Sequence, residues 1–205
     1  QEDHTSVNYD AFLCWIQFCI SGLDHPVILP KNPIYLDALL SGQEFWGGVV
    51  PKIGHHFIQV VSIEGFPLAS SPGLINSLAD LPCLYRWSTR FIFMDTHEAV
   101  GHLEKFSKKW KQKIRSFFDQ VFNSHSSHVD QNAMNMVSDA QAAIAETNSG
   151  EVAQGYYTSV VVLMSENRGD LEAAARQVAK AVNHMGFTAR IETINTIDAY
   201  LGSLP

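Results

Sequence analysis

The sequence predicts an α+β fold in which a long helical hairpin is inserted into an antiparallel sheet. Four segments have the composition of strands, and helical patterns follow the first and the third of them, which gives a split βαβ order. A further stretch of helical periodicity, at about 96–150, lies between the second and third strands. The predicted class is therefore a ferredoxin-like split βαβ antiparallel sheet with a helical-hairpin insertion.

The elements of this plan occupy residues 55–195. Ser71 caps the first helix, and Pro72 stands at its first position, where a missing N–H costs nothing. Asp95 with Glu98 three residues later is a capping-box-like start for the hairpin. The predicted order is a strand at 55–65, a helix from Ser71 to about Ala79, a strand at 87–94, a strand at 155–164, a helix from Asp170 to Met185 and a strand at 187–194.

The inserted hairpin is predicted to contain two helices, from Thr96 to about Phe122 and from about Gln131 to Thr147. Apolar residues recur three or four positions apart along the first helix, which places them on one face. They are Leu103, Phe106, Trp110, Ile114, Phe117 and Val121. The second helix has small residues on its corresponding face, so large side chains are expected to meet Ala133, Ala140 and Ala143.

The second strand is predicted to lie at an edge of the sheet, yet RFIFM is apolar on both of its faces. We therefore expect Phe91 to Met94 to be buried on both faces, under the hairpin or the N-terminal helices. Arg90, at the start of this run, is expected to form an ion pair with Asp95 or Glu64, and the alternative is a salt bridge to a neighbouring protomer.

Residues 1–54 are predicted to be a mostly helical lead segment. The pattern from Tyr9 to Ile20 is typical of a short buried helix closed by Ser21 and Gly22. At the other end of the chain, residues 196–205 are expected to begin a linker to a further domain.

The composition narrows the classes of function. A net charge of −7 and a pI near 5.6 argue against a general nucleic-acid binder. Three cysteines without a CxxC motif indicate neither a disulfide framework nor a zinc site, which favours a reducing compartment. The longest early apolar run, AFLCWIQFCI, has about half the length that a bilayer requires. The sequence therefore predicts no transmembrane helix.

A series of blocks, in order along the chain, resembles the N-terminal region of TrbE-type conjugal transfer ATPases, the large ATPases of type IV secretion systems. The blocks are YLDALL (35–40), GGVVPKIG (47–54), IEGFP (63–67), YRWSTRF (85–91), KKWKQKIR (108–115), GYYTSVVVLM (155–164) and GFTARIETINTIDAYLGSLP (186–205). The resemblance implies that the C-terminal half is a RecA-type motor that binds ATP and Mg²⁺. It also implies that the N-terminal half contacts inner-membrane subunits and neighbouring protomers, in a homo-oligomer at the cytoplasmic face of the bacterial inner membrane.

No GxxxxGK[ST] phosphate-binding motif occurs in this chain. We therefore carry over no catalytic, cofactor-binding or metal-binding residue from the family, and we expect a docking and assembly role for the segment itself. Two candidate surfaces follow. One is a basic set on the first hairpin helix, comprising Lys105, Lys108, Lys109, Lys111, Lys113 and Arg115, and the other is an apolar region comprising Phe45, Trp46 and Phe66.

Each candidate has an alternative interpretation. The basic set is expected to bind an acidic partner or anionic lipid headgroups, and binding to headgroups would be a peripheral membrane contact. Alternatively, it is a solvated helix face without a binding role. A ligand- or nucleic-acid-binding regulatory module on the same sheet remains the alternative function, because Tyr156, Tyr157 and Phe57 stand where base-stacking aromatics would lie. The acidic net charge argues against direct nucleic-acid contact. The histidine pairs His97 with His102 and His125 with His128 lack the further ligands of a metal site.

Overall fold

The computed structural model describes residues 9–40, 42–67, 71–121 and 131–204, and for 113–121 and 131–133 it describes the backbone alone. The chain divides into two compact units. The sheet unit comprises Gln1–Arg90 and Thr158–Pro205, and the hairpin unit comprises Phe91–Tyr157. The predicted α+β class with an open antiparallel sheet is confirmed.

Within the described residues the sheet has six strands in the order β1-β2-β3-β5-β4, and β6 also pairs with β3. The strands are β1 (Phe45–Trp46), β2 (Lys52–Ile53), β3 (His56–Gly65), β4 (Tyr85–Phe93), β5 (Gly155–Ser165) and β6 (Thr188–Ile191). β3 lies antiparallel to β5, from Phe57 opposite Ser165 to Ile63 opposite Ser159. Its other edge is shared, because β2 pairs with its beginning and β6 with its end.

The helices are α1 (Ala11–Ser21), α2 (Leu36–Leu39), a 3₁₀ helix (Leu74–Asp80), α3 (Thr96–Val121), α4 (Gln131–Ser149), α5 (Arg168–His184) and α6 (Thr196–Gly202). α5 follows the amphipathic pattern of its sequence. Asn167 caps it by accepting from the N–H groups of Gly169 and Asp170. Its buried residues recur along one face at Leu171, Ala175, Val178 and Val182.

Apolar cores cover both faces of the central strands. The side chains of Val61 and Val161 point to one face, where they pack with α5 and Leu78 of the 3₁₀ helix. Ile58 and Val162 point to the other face and pack with Tyr200 of α6. Because side chains alternate along a strand, both faces can be apolar only where consecutive residues are apolar, as at Val60–Val61 of β3 and Val160–Leu163 of β5.

The segment after Gly73 forms a 3₁₀ helix, where the sequence predicts an α-helix capped by Ser71. Gly73 adopts a left-handed backbone with φ of 81°, so helical geometry begins only at Leu74. Pro82 follows closely, and so short a helix has little to gain from α-helical hydrogen bonds.

In the hairpin unit, α3 and α4 pack against one another. The carboxylate of Asp95 accepts a hydrogen bond from the N–H of Glu98 at 2.9 Å, as a helix cap does. Among the side chains described, the buried ones are small, namely Ala99, Ser107, Ala140 and Thr147. Phe106, predicted to lie in the seam, is 50% exposed, so the prediction that large side chains meet small ones is wrong there. Ile114, Phe117, Val121 and Ala133 fall outside the described side chains.

Two expectations for the second strand are wrong. Phe91, Ile92 and Phe93 are all exposed, although their side chains alternate between the faces. The rings of Phe91 and Phe93 instead shelter one another, with centroids 4.8 Å apart. Arg90 donates to the backbone carbonyl of Leu204 at 2.9 Å. Of the two carboxylates expected to pair with it, that of Asp95 accepts from the N–H of Glu98, and that of Glu64 lies 2.7 Å from Arg190 on β6.

Candidate partner-binding surfaces

The lysines of α3 lie on the side of the helix opposite its buried face. At about 100° per residue, Lys105, Lys108, Lys109 and Lys111 span an arc of roughly 160°. All four are exposed. The row of Ala99, half-buried Leu103 and Ser107 lies on the other side. We call the four residues the lysine face.

One acidic side chain modifies the lysine face. The ammonium of Lys108 lies 3.5 Å from the carboxylate of Glu104, one turn earlier, with both side chains more than half exposed. Such a pair contributes little to stability because water screens it. The backbone of the predicted residues Lys113 and Arg115 continues in α3, but their side chains lie outside the described set.

The predicted apolar residues lie in two places. The ring of Phe45 on β1 stacks on Tyr200 with centroids 6.1 Å apart, and the adjacent Trp46 is 58% exposed. Phe66, just after β3, meets Phe187 edge to face at 5.9 Å. Tyr200 and Phe187 belong to the cores on different faces of the sheet. Phe45 and Phe66 therefore pack against different cores.

A third surface is formed by α1, which is apolar on the outside and polar on the inside. Phe12, Trp15 and Phe18 are 51–66% exposed, whereas Gln17 and Ser21 are fully buried and Leu13 is 7% exposed. Inward polar groups are hydrogen bonded, since Gln17 donates to Gln43 and the Ser21 hydroxyl donates to the carbonyl of Gln17 at 2.8 Å. Helices at the surface of globular proteins normally have the reverse arrangement.

A cavity of about 660 Å³ lies beside the C-terminal end of α1. Phe18 and Cys19 of α1 form one wall, and Met164 of β5 forms another. Polar groups at its margin are Arg86, His56 and Glu166, the last two with their side chains 3.7 Å apart. A cleft of this size with a few polar groups is typical of a binding pocket.

Arg86 of β4 connects α1 and α6. Its guanidinium donates to the carbonyls of Cys19 and Ile20 at the end of α1 and, at 2.8 Å, to the hydroxyl of Ser203. It also lies over the ring of Tyr200, whose hydroxyl donates to Ile20 at 2.6 Å. Burial raises the pKa of Tyr200, and the charge of Arg86 opposes part of that increase.

A small polar cluster lies in the hairpin unit. The hydroxyl of Tyr156 is 3.2 Å from both Glu98 and His102, and partial desolvation, followed by the charge of Glu98, raises its pKa. No group of three or more potential metal ligands occurs among the described residues. Within the same residues, no helix is both long enough and apolar enough to cross a bilayer.

The comparison with known families decides the classification of the chain. A profile described as "CagE, TrbE, VirB family, component of type IV transporter system" matches residues 1–205. The chain belongs to this family. The resemblance to TrbE-type proteins expected from the sequence blocks is thereby confirmed.

Two curated proteins are similar to this member of the CagE, TrbE, VirB family. It is 48% identical over 197 residues to the second portion of a probable conjugal transfer protein TrbE of Sinorhizobium fredii (strain NBRC 101917 / NGR234). It is 47% identical over 197 residues to "Conjugal transfer protein TrbE" of Rhizobium radiobacter. Both matches cover 96% of the chain, which spans 30% and 24% of the two relatives.

Sequence reasoning missed the α1 surface of this family member, because the apolar composition of α1 predicts a buried helix. One signal was available, namely that Leu13, Gln17 and Ser21 lie four residues apart and form a mostly polar row on an otherwise apolar helix. It also missed Arg86, whose partners lie 66 to 117 residues away along the chain.

Proposed function

We propose that this chain is a docking and assembly domain of a conjugal transfer ATPase, and that it contacts inner-membrane secretion subunits and neighbouring protomers at the cytoplasmic face of the membrane. Membership of a type IV transporter family supports assembly with other components. The observation that carries the proposal is the lysine face, a concentration of positive charge on one side of α3 in a chain of net charge −7. Such a patch favours an acidic partner surface over random contacts.

We further propose that ATP and Mg²⁺ are bound by the part of the relatives that lies outside this chain. The absence of a GxxxxGK[ST] motif from the sequence supports this division. The chain itself would then be non-catalytic. Titration of the purified chain with Mg-ATP in a calorimeter should give no binding heat, and saturable binding would contradict the proposed division.

The finer fold assignment is also a proposal, namely a ferredoxin-like sheet with the α3–α4 hairpin inserted between its second and third strands. Two features support it. First, the 3₁₀ helix links β3 to β4, and α5 links β5 to β6. Second, β5 lies between β3 and β4 in the sheet, as in a split βαβ unit. An experimental structure in which β4 lay beside β3 would contradict the assignment.

The docking proposal is tested by capture of detergent-solubilised inner-membrane secretion subunits on the immobilised chain. Charge reversal of Lys108→Glu with Lys109→Glu should reduce capture roughly tenfold or more, because rim charges steer association. The matched control is Lys31→Glu with Lys180→Glu, which changes the net charge equally at exposed positions that do not belong to α3. Equal loss in both variants would show a general charge effect and contradict a docking role for the lysine face.

A ligand-binding module is the second candidate, and the cavity beside α1 favours it. If the chain captures no secretion subunit, a ligand-binding role becomes the better explanation. A thermal-shift screen against small amphipathic carboxylates would then test it, since the margin of the cavity carries a guanidinium.

A further inference from the structure

The exposed side of α1 forms an aromatic ridge, which we define as Tyr9, Phe12, Trp15 and Phe18. These side chains are 58%, 66%, 62% and 51% exposed. The rings of Phe12 and Trp15 stack on one another, with centroids 6.5 Å apart and planes 22° apart. Four large aromatic side chains, three along one side of the helix and one just before it, constitute an exposed apolar patch of the kind that marks an interaction site.

The inward face of α1 strengthens this argument. A helix that only covered the sheet would turn its aromatic side chains inward, because their burial provides the largest hydrophobic gain available. α1 instead buries Gln17 and Ser21 and leaves the ridge in water. The arrangement becomes favourable when a second apolar element covers the ridge.

Charge at the ends of the ridge defines the partner. Asp10 caps the beginning of α1 by accepting from the N–H of Leu13 at 2.9 Å, and exposed Asp24 follows the end of the helix. Residues 9–49 contain four carboxylates, of Asp10, Asp24, Asp37 and Glu44, against one lysine, Lys31. An apolar helix with basic residues at its ends matches this pattern along a length of roughly 20 Å.

The same charges disfavour the other occupants. Helices that bind anionic lipid surfaces carry lysine and arginine on their polar face, and here the flanking groups are acidic. A second copy of α1 laid antiparallel on the first would bring the aspartates of the two copies together at both ends, which is repulsive. A basic-ended helix has neither conflict.

Resting on the proposed function, we propose that the aromatic ridge binds an apolar helix with lysine or arginine at its ends, presented by a membrane-embedded secretion subunit. Cytoplasmic flanks of transmembrane helices are enriched in these residues, so such subunits offer basic residues on the required side. The ridge ends beside the cavity of about 660 Å³ that Phe18 lines. A large apolar side chain of the partner helix fits there as an anchor.

The test uses a defined probe. An 18-residue peptide with a leucine stripe, glutamines elsewhere and two lysines at each end is titrated against the purified chain by fluorescence anisotropy. A matched peptide carries glutamates in place of the four lysines. We expect the lysine peptide to bind at least roughly tenfold more tightly than the glutamate peptide, and Asp24→Lys to reduce that preference.

The variant Phe12→Ser with Trp15→Ser removes the centre of the ridge. Both side chains are exposed, so its circular dichroism spectrum should match that of the parent chain, while binding of the lysine peptide should be lost. Ile194→Ser, at another exposed apolar position, is the control and should bind normally. Three outcomes would each overturn the proposal. They are no binding of the lysine peptide, equal binding of the two peptides, and unchanged binding of the lysine peptide by the ridge variant.

Two further measurements report the competing occupants. If sedimentation velocity showed that the parent chain is a dimer and the ridge variant is a monomer, the ridge would bind a second copy of the chain. That result would overturn the proposal. Cosedimentation with phosphatidylglycerol vesicles that depends on the ridge would do the same in favour of lipid. If capture of secretion subunits were lost in the lysine-face variant but unchanged in the ridge variant, the docking function would be supported. That result would contradict only the role proposed for the ridge.

Discussion

At the scale of single residues, Arg86 is the side chain whose loss should cost most for its size. It provides charged hydrogen bonds to carbonyls at the end of α1 and to Ser203. We expect Arg86→Leu to lower the free energy of unfolding by about 1.5–3 kcal/mol, the range for hydrogen bonds of charged groups. Urea unfolding followed by circular dichroism measures this. Arg90→Leu, which removes one exposed bond to a carbonyl, should cost less than about 1 kcal/mol, and equal costs would contradict this account.

Tyr200 should make stability depend on pH in the alkaline range. The pKa of Tyr200 is higher in the folded state than its value near 10 in the unfolded state. At a pH between these two pKa values, the native state therefore binds more protons than the unfolded state does. Stability is therefore retained below pH 10 and falls as the pH rises through the folded pKa. Tyr200→Phe should flatten part of that fall, measured as the urea midpoint between pH 8 and 11. An identical slope in the variant would contradict the assignment.

At the scale of elements, we expect replacement of glycine by alanine to have opposite effects on stability at two positions of the hairpin unit. Gly101 lies within α3 with open space around its Cβ position, so Gly101→Ala should stabilise the protein by about 0.5–1 kcal/mol. A Cβ on Gly155 would lie 2.5 Å from the carbonyl of Ile92 and from the ring of Phe91. Gly155→Ala should therefore destabilise it, and thermal unfolding of the pair checks both signs.

The elements also differ in how far the sequence determines them. α5 was predictable because its apolar residues recur along one face and Gly186 follows its end, which are local signals. The 3₁₀ helix was not, because the left-handed backbone at Gly73 overrides a good α-helical start. α1 was predicted as a helix, but its orientation depends on partners for Gln17 and Ser21 that periodicity does not reveal.

The candidate surfaces show the same division. The lysine face could be predicted from sequence because residues on one helix face follow a fixed spacing. The separation of Phe45 from Phe66 could not, since it depends on which side of the sheet each chain segment joins. The contacts of Arg86 could not be predicted from the sequence at all, because they join helix ends that are distant in sequence and meet at one strand.

At the scale of the whole molecule, the sheet unit should behave as one cooperative structure with two cores. Ile58 and Leu163 are buried on opposite faces of the sheet, yet they lie on the paired strands β3 and β5. Ile58→Ala and Leu163→Ala should each cost about 2–5 kcal/mol of unfolding free energy. Ile194→Ala, at an 84% exposed position, should cost under about 0.5 kcal/mol. A cost near zero at either buried site would contradict a two-faced core.

The lysine face has a consequence for how the protein behaves in a laboratory column. A chain with a pI near 5.6 is expected to pass through a cation exchanger at neutral pH. Retention, however, follows the local potential, because at about 0.1 M salt charges more than about 10 Å apart are largely screened from one another. The chain should therefore adhere to sulfonated resin through α3 at about 0.1 M salt, oriented with that helix toward the matrix.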